Sequence, residues 1–201
     1  MSERPTDLEL LRLREAQFTG GSAFDTGDPR QSPKILAERT GIGLVYLLEP
    51  SLEFRSPVAI ERSDGAAPTW LREANPGNWE PVEWQELLDG QLGPWAIAVV
   101  GQQVLAICHT PIPMTEFAAE AGVWTEPRFR RQGHAVASTA AWAGVLRASE
   151  RHLFYRVELD NPASMGVAER LGARLIGWTW DSQDKDKPTP NHVHPLCSLR
   201  R

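Results

Sequence analysis

The chain has 201 residues, 41% hydrophobic and 23% charged, the profile of an ordinary soluble globular protein with one good core, or one domain and a small helper region. Its 21 Lys and Arg stand against 26 Asp and Glu, and a formal net charge of −5 argues against duplex nucleic acid, which wants a basic face, while remaining compatible with a cationic partner. Two cysteines, Cys108 and Cys197, make no disulfide framework, the polar N-terminus lacks a signal peptide's apolar run, and no stretch of about 18 apolar residues offers a membrane span, so a cytoplasmic protein without membrane contact is expected.

Residues 1–32 read as a polar lead-in with one helical patch, Leu8, Leu10, Leu11 and Leu13, running into Thr19-Gly20-Gly21. Two apolar clusters follow, Ile35 to Ala37 and Leu44 to Leu48, separated by Thr40-Gly41-Ile42-Gly43 in the manner of a hairpin. Pro57 to Ile60 is a short strand, and the Pro- and Gly-rich stretch 61–81 places a boundary, so residues 1–78 form an N-terminal extension and 79–201 the main domain. Pro81 to Leu88 is a helix with proline in its first turn and Asp89-Gly90 at its end. Trp95 to Val100 and Val104 to Thr110 are strands joined through Gly101, and Pro111-Ile112-Pro113 stops the second. Ala118 to Thr125 is a third strand, and Gly133 to Glu150 an Ala-rich helix. Phe154 to Leu159 is a strand, Asn161 to Leu171 a helix capped by Asn161 with Pro162 at its first position, and Leu175 to Trp180 the last strand before a polar tail. The second half thus reads β-β-β-α-β-α-β, an α/β or α+β layer arrangement.

The chemistry concentrates between Val123 and Ala135, where a basic, glycine-bearing turn joins a strand to a helix. The first turn of a helix has free N–H groups and the positive end of its dipole. Gly133 and the small Ala135 let backbone approach a ligand, and Arg130 and Arg131 add charge suited to phosphate oxygens. Together these suit an anion such as a pyrophosphate.

Arg130, Gly133 and Ala135 follow the pattern Arg or Gln, two residues, Gly, one residue, Gly or Ala, with Pro127 three residues before. Asn161, Ser164 and the closing Leu171-Gly172 form a second segment at matching spacing. In both respects the chain resembles the GNAT superfamily of N-acetyltransferases over roughly residues 79–181. The resemblance implies a mixed, mostly antiparallel central sheet flanked by helices, and acetyl-coenzyme A as acetyl donor to the amine of a small molecule or peptide. By position, the backbone of Val123 and Thr125 would pair with the pantetheine arm, and residues Arg131, Gln132, Gly133, His134 and Ala135, with Arg130, would hold the pyrophosphate. Asn161 and Ser164 would lie beside the arm. A backbone N–H near Val123 or Trp124 would polarise the thioester carbonyl.

The family's usual tyrosine, seven residues after the motif asparagine, is Ala168 here, and neither Tyr46 nor Tyr155 fits the slot. Ser164 or a water is left to protonate the leaving thiolate, itself a tolerable leaving group. An attacking alkyl amine must be neutral, so a base is needed; Glu120 is the first candidate, with Glu116 and His109 behind it.

Other readings compete. Ala168 is compatible with a catalytically weak or inactive coenzyme A-binding module, and an interaction protein that kept only the fold is a further alternative. Cys108 beside His109 points to the opposite strand face and reads as core, as do most of the eight tryptophans. His192, His194 and Cys197 mimic a metal cluster, but in a polar, Pro-containing tail no metal site is expected. Gly41-Ile42-Gly43 lacks the third glycine and the helix of a nucleotide fingerprint. The acceptor and the oligomeric state, a homodimer included, stay open.

Overall fold

The computed structural model describes residues 4–18, 23–49 and 54–181. Helix α1, Asp7–Glu15, starts at a capping box in which Thr6 and Glu9 satisfy each other's backbone N–H groups. It buries Leu10, Leu11, Arg14 and Glu15 along one stripe. Strand β1, Ala23–Thr26, helix α2, Pro33–Glu38, and strand β2, Gly43–Leu48, complete the first part of the chain. The hairpin expected over 34–49 is therefore a helix followed by a strand. Pro33 at the first helical position, after Ser32, starts a helix, and β2 finds its partners far away in sequence.

Strand β3, Ala59–Arg62, helices α3, Thr69–Glu73, and α4, Pro81–Leu88, and strands β4, Trp95–Val100, and β5, Gln103–His109, follow. The sequence placed α4 and β4 at these same boundaries. Next come β6, Ala118–Glu120, β7, Gly122–Thr125, α5, His134–Val145, β8, His152–Glu158, α6, Pro162–Arg170, and β9, Arg174–Trp180. Helix α5 ends five residues before Glu150, where Leu146 becomes its C-cap and the Ser149 hydroxyl donates to the Leu146 carbonyl at 2.7 Å.

Among the described residues the strands form two sheets, one of five in the order β1-β9-β2-β8-β6 and one of four in the order β3-β4-β5-β7. Every ladder is antiparallel except β6 with β8. Strand β2 comes from the part of the chain before residue 79, yet it is paired on one side by β8 and on the other by β9. Its Leu44, Val45, Tyr46 and Leu48 are all buried, as a central strand between two helical layers requires.

The single strand expected over 118–125 is instead two strands in different sheets. The Ala121 N–H still donates to the Phe154 carbonyl of β8 at 2.8 Å, but from Gly122 onward the chain pairs with β5. Helices α5 and α6 share one face, where Val136, Ala140, Trp142 and Ala168 pack against Leu44, Tyr46, Tyr155 and Val157. The other face carries α1 over Val45, Phe154 and Ile176 of the five-stranded sheet, and α3 and α4 over Trp95, Ile97 and Ile107 of the four-stranded one. Among the described residues no helix is long and apolar enough to cross a membrane.

Candidate active site

The change of sheet at Ala121 sets the geometry. Beyond the last β6–β8 pair, Glu120 with Phe154, the two sheets part. Strand β7 is laddered only to β5, and β8 beyond Phe154 only to β2, so among the described residues the facing edges of β7 and β8 carry no ladder. An extended strand without a partner on one edge presents N–H and C=O groups to whatever enters beside it.

At the far end of β7 the chain makes a 3-10 turn, Pro127–Phe129, and then the basic loop. The Glu126 N–H donates to the Leu105 carbonyl at 2.9 Å, tying the turn to β5. Arg130 is extended and its Nε donates to the Thr125 carbonyl at 3.4 Å, while Gln132 Nε2 donates to the Arg128 carbonyl at 3.5 Å. Arg131, at φ 63°, is the one non-glycine residue with positive φ among those described, and Gly133 follows at φ 88°. A Cβ on Gly133 would meet only the end of Phe54 at 3.8 Å, so conformation rather than space calls for glycine there. Gly133 is the N-cap of α5 and supplies no capping side chain. The exposed Arg128, Arg130 and Arg131 lie in the turn and loop that lead into a 12-residue helix, Arg128 paired with Glu126, and no side chain caps the helix's first-turn N–H groups. His134 is buried just inside that turn, and burial holds its imidazole below the ordinary histidine range. The Ala135 carbonyl accepts from the Ser138 and Thr139 hydroxyls at 3.1 and 2.8 Å.

Asn161 caps α6 as its residue type suggests, its Oδ1 accepting from the Ser164 N–H at 3.1 Å. Asn161 and Ser164 thus share the turn that follows β8, across the opening from β7, and both side chains are half-buried. Ala168 is fully buried in the core.

The base candidates differ sharply in setting. Glu116 is exposed in the loop before β6. Glu120 is buried at the end of β6, where Arg14 Nε donates to its Oε2 at 2.5 Å and Arg14 Nη1 reaches Glu15. Burial works against the Arg14 charge, but Glu120 and Glu15 outweigh it and raise the guanidinium above its usual range. Residues 1–32 had offered no partner for Glu120 on sequence grounds. Arg14 was visible only indirectly, as a charge three residues after Leu11 and four after Leu10 on the buried stripe of α1.

His109 is also buried, on the α3–α4 face of the four-stranded sheet, with its ring edge-on to Trp79 at 4.8 Å. Cys108 points the other way, into the α5 core, where burial pushes its thiol up. Among the described residues no three metal-binding side chains gather, and His192, His194 and Cys197 lie outside those residues.

The acetyltransferase (GNAT) domain family matches residues 46–174. Among solved structures, a GNAT-family protein from Novosphingobium aromaticivorans is similar at 19% identity and TM-score 0.50, over 69% of this chain and 62% of that one, less than two thirds of its length. A GNAT-family acetyltransferase from Colwellia psychrerythraea is similar at 12% identity and TM-score 0.49, over 87% and 73% of the two chains. A GCN5-related N-acetyltransferase from Kribbella flavida is similar at 16% identity and TM-score 0.48, over 74% and 62%. No curated protein matches.

Proposed function

The chain belongs to the GNAT acetyltransferase family, and on that premise we propose that it binds acetyl-coenzyme A in the opening between β7 and β8 and transfers the acetyl group to a primary amine by direct attack on the thioester. The observation that carries this reading is the split at Ala121 ending in an uncapped helix: the unladdered edge of β7 runs straight into the basic turn and the start of α5. A long ligand with an amide-bearing arm and a pyrophosphate fits that sequence of features.

In this reading the backbone of Val123 and Thr125 pairs with the pantetheine amides, and the N–H groups of 131–135 with Arg130 and Arg131 take the pyrophosphate. The Asn161 amide nitrogen is left for a ligand carbonyl, since its oxygen is spent on the Ser164 N–H. The Ser164 hydroxyl, at the same turn, supplies a proton to the leaving thiolate. A β7 N–H beside the thioester stabilises the oxyanion. Glu120, held by Arg14 at the split, is the carboxylate assigned to take the proton of the attacking amine.

A second reading, a coenzyme A-binding module with little or no turnover, has one observation in its favour: Ala168 is fully buried and carries no proton donor where the family usually has a tyrosine. Thermal melts and thiol release separate the readings. Acetyl-coenzyme A at 100 times its Kd is expected to add about 2.7 kcal/mol of stability, or roughly 5–11 °C in Tm for a chain of this size. Thiol release that depends on an added amine supports transfer. A raised Tm without amine-dependent thiol release across a panel of polyamines, amino-acid amides and peptides favours the second reading, and an unmoved Tm defeats both.

A further inference from the structure

We propose that the groove between α5 and the β3 edge is a second binding site, and that it takes a phosphorylated nucleoside other than the acetyl donor. The four-stranded sheet has β3 at one edge and β7 at the other. The opening beside β7 serves the acetyl-transfer reading, and the β3 edge lies three strand spacings away, about 14 Å. The inference goes beyond that reading and does not depend on it.

The groove exists because one face of α5 is built from small residues with space above them. Ala137, Ala140, Ala141 and Gly144 recur at helical spacing and share that face. A Cβ on Gly144 would meet no atom within 4 Å among the described residues. Ile60 of β3 completes the floor, and the segment before β3 forms a wall. That wall is fixed by Ser56, whose hydroxyl donates to the Val58 carbonyl at 2.6 Å and accepts from the Val58 N–H at 3.2 Å. The groove's volume is about 600 Å³, within the span of small-molecule sites, roughly 300–1,000 Å³.

The lining is one-sided in charge. Arg55, Arg62 and Arg147 border the groove, and among the described residues no carboxylate does. Asp64 engages Arg62 in an exposed pair, taking its Nε–H at 2.9 Å, and a guanidinium with five N–H donors keeps others for a second anion. Guanidinium groups suit phosphate oxygens, which they grip two at a time. Beside them the floor is apolar and flat, and Phe54 stands at the wall with 40% of its surface exposed. An exposed aromatic face next to arginines offers a stacking place for a planar ring. A bare phosphate would leave the floor unused, and an apolar molecule would leave the arginines unused. A phosphorylated nucleoside uses both.

The acetyl donor does not account for the groove. Gly144 follows Gly133 by 11 residues, about 16 Å along the helix axis, and Arg147 comes after it. A nucleotide whose pyrophosphate sits at Gly133 has its remaining phosphate only a few bonds away, short of that end. The two places are neighbours all the same: a Cβ on Gly133 would stand 3.8 Å from Phe54 Cζ. Competition between the two ligands is therefore the deciding measurement.

The test is calorimetric titration of the full chain with AMP, GMP, CMP and UMP, and with inorganic phosphate and the four nucleosides as their halves, with and without saturating acetyl-coenzyme A. At least one monophosphate is expected to bind about tenfold tighter than either of its halves, and to keep binding when acetyl-coenzyme A saturates the protein. Arg55→Gln is expected to weaken it about tenfold. Gly144→Phe fills the groove and is expected to abolish binding with the Tm retained; if that variant fails to fold, Arg55→Gln and Phe54→Ala carry the comparison. Arg130→Gln, in the phosphate loop, is expected to leave the monophosphate Kd unchanged. Absence of monophosphate binding, binding that phosphate alone reproduces, or an affinity unmoved by the groove variants overturns the proposal. So does full displacement by acetyl-coenzyme A, which would place the nucleotide in the donor's own site. If acetyl-coenzyme A itself does not bind, the acetyl-transfer reading fails, and the groove stands or falls on the titrations without it.

Discussion

Arg14 has 1% of its surface exposed and is held between Glu120 and Glu15. A guanidinium out of water is tolerable only while its partners stay charged and in place, so breaking the group by one substitution costs far more than the intact group contributes. Arg14→Met removes the cation and leaves two buried carboxylates facing each other's field. The expected loss is about 3–5 kcal/mol in urea denaturation. Adding Glu120→Gln to Arg14→Met should recover part of that loss, because the second change removes a stranded charge rather than a contact. Additive losses in the double variant would mean that Arg14 stabilises α1 by packing alone.

At the scale of elements, α5 begins where the pyrophosphate is proposed to bind, and its N-cap is a glycine in the left-handed region. Gly133→Ala forces an alanine to φ 88°, at an expected cost of about 1–2 kcal/mol. The companion Asn161→Ala deletes the cap of α6 for about 1 kcal/mol. The two should differ in ligand response. Gly133→Ala distorts the turn over the helix start and is expected to weaken acetyl-coenzyme A binding several-fold, measured by calorimetry. An alanine at 133 with unchanged affinity would move the pyrophosphate away from α5. Helix starts such as these were legible in the sequence because capping and proline rules act within a few residues: Pro81, Asn161-Pro162 and Gly133 each sit where a helix was expected. The break inside 118–125 was not legible. Ala118 to Thr125 has strand-forming composition throughout, and what divides it is the competition between β8 and β5 for its backbone, fixed by residues 13 to 34 positions away. The same holds for the proposed site. The phosphate loop is a local pattern and could be read, whereas Arg14 against Glu120 and the His109 ring against Trp79 arise from how distant segments pack together.

On the scale of the whole molecule, the five-stranded sheet depends on a strand from the first quarter of the chain. Boundary signals in 61–81 are real as local features: Asn75, Pro76 and Gly77 do form a turn, with the Gly77 N–H donating to Asn75 Oδ1 at 2.9 Å. A turn marks where a chain changes direction, not where cooperation ends. Strand β2 joins β8 to β9, which are themselves linked through α6, so removing β2 opens two ladders at once and uncovers Leu44, Tyr46 and Leu48 from the core shared with α5. The expectation is that a chain beginning at residue 79 shows no cooperative thermal transition by circular dichroism and elutes as aggregate, since β8 and β9 would each present a long apolar edge. A monomeric fragment with a sharp melt would mean that β8 and β9 can close on each other without β2. The consequence reaches the proposed site directly, because β8 forms one wall of the opening. Its edge toward β7 can stay unladdered, and so receive a ligand, only while β2 secures the other.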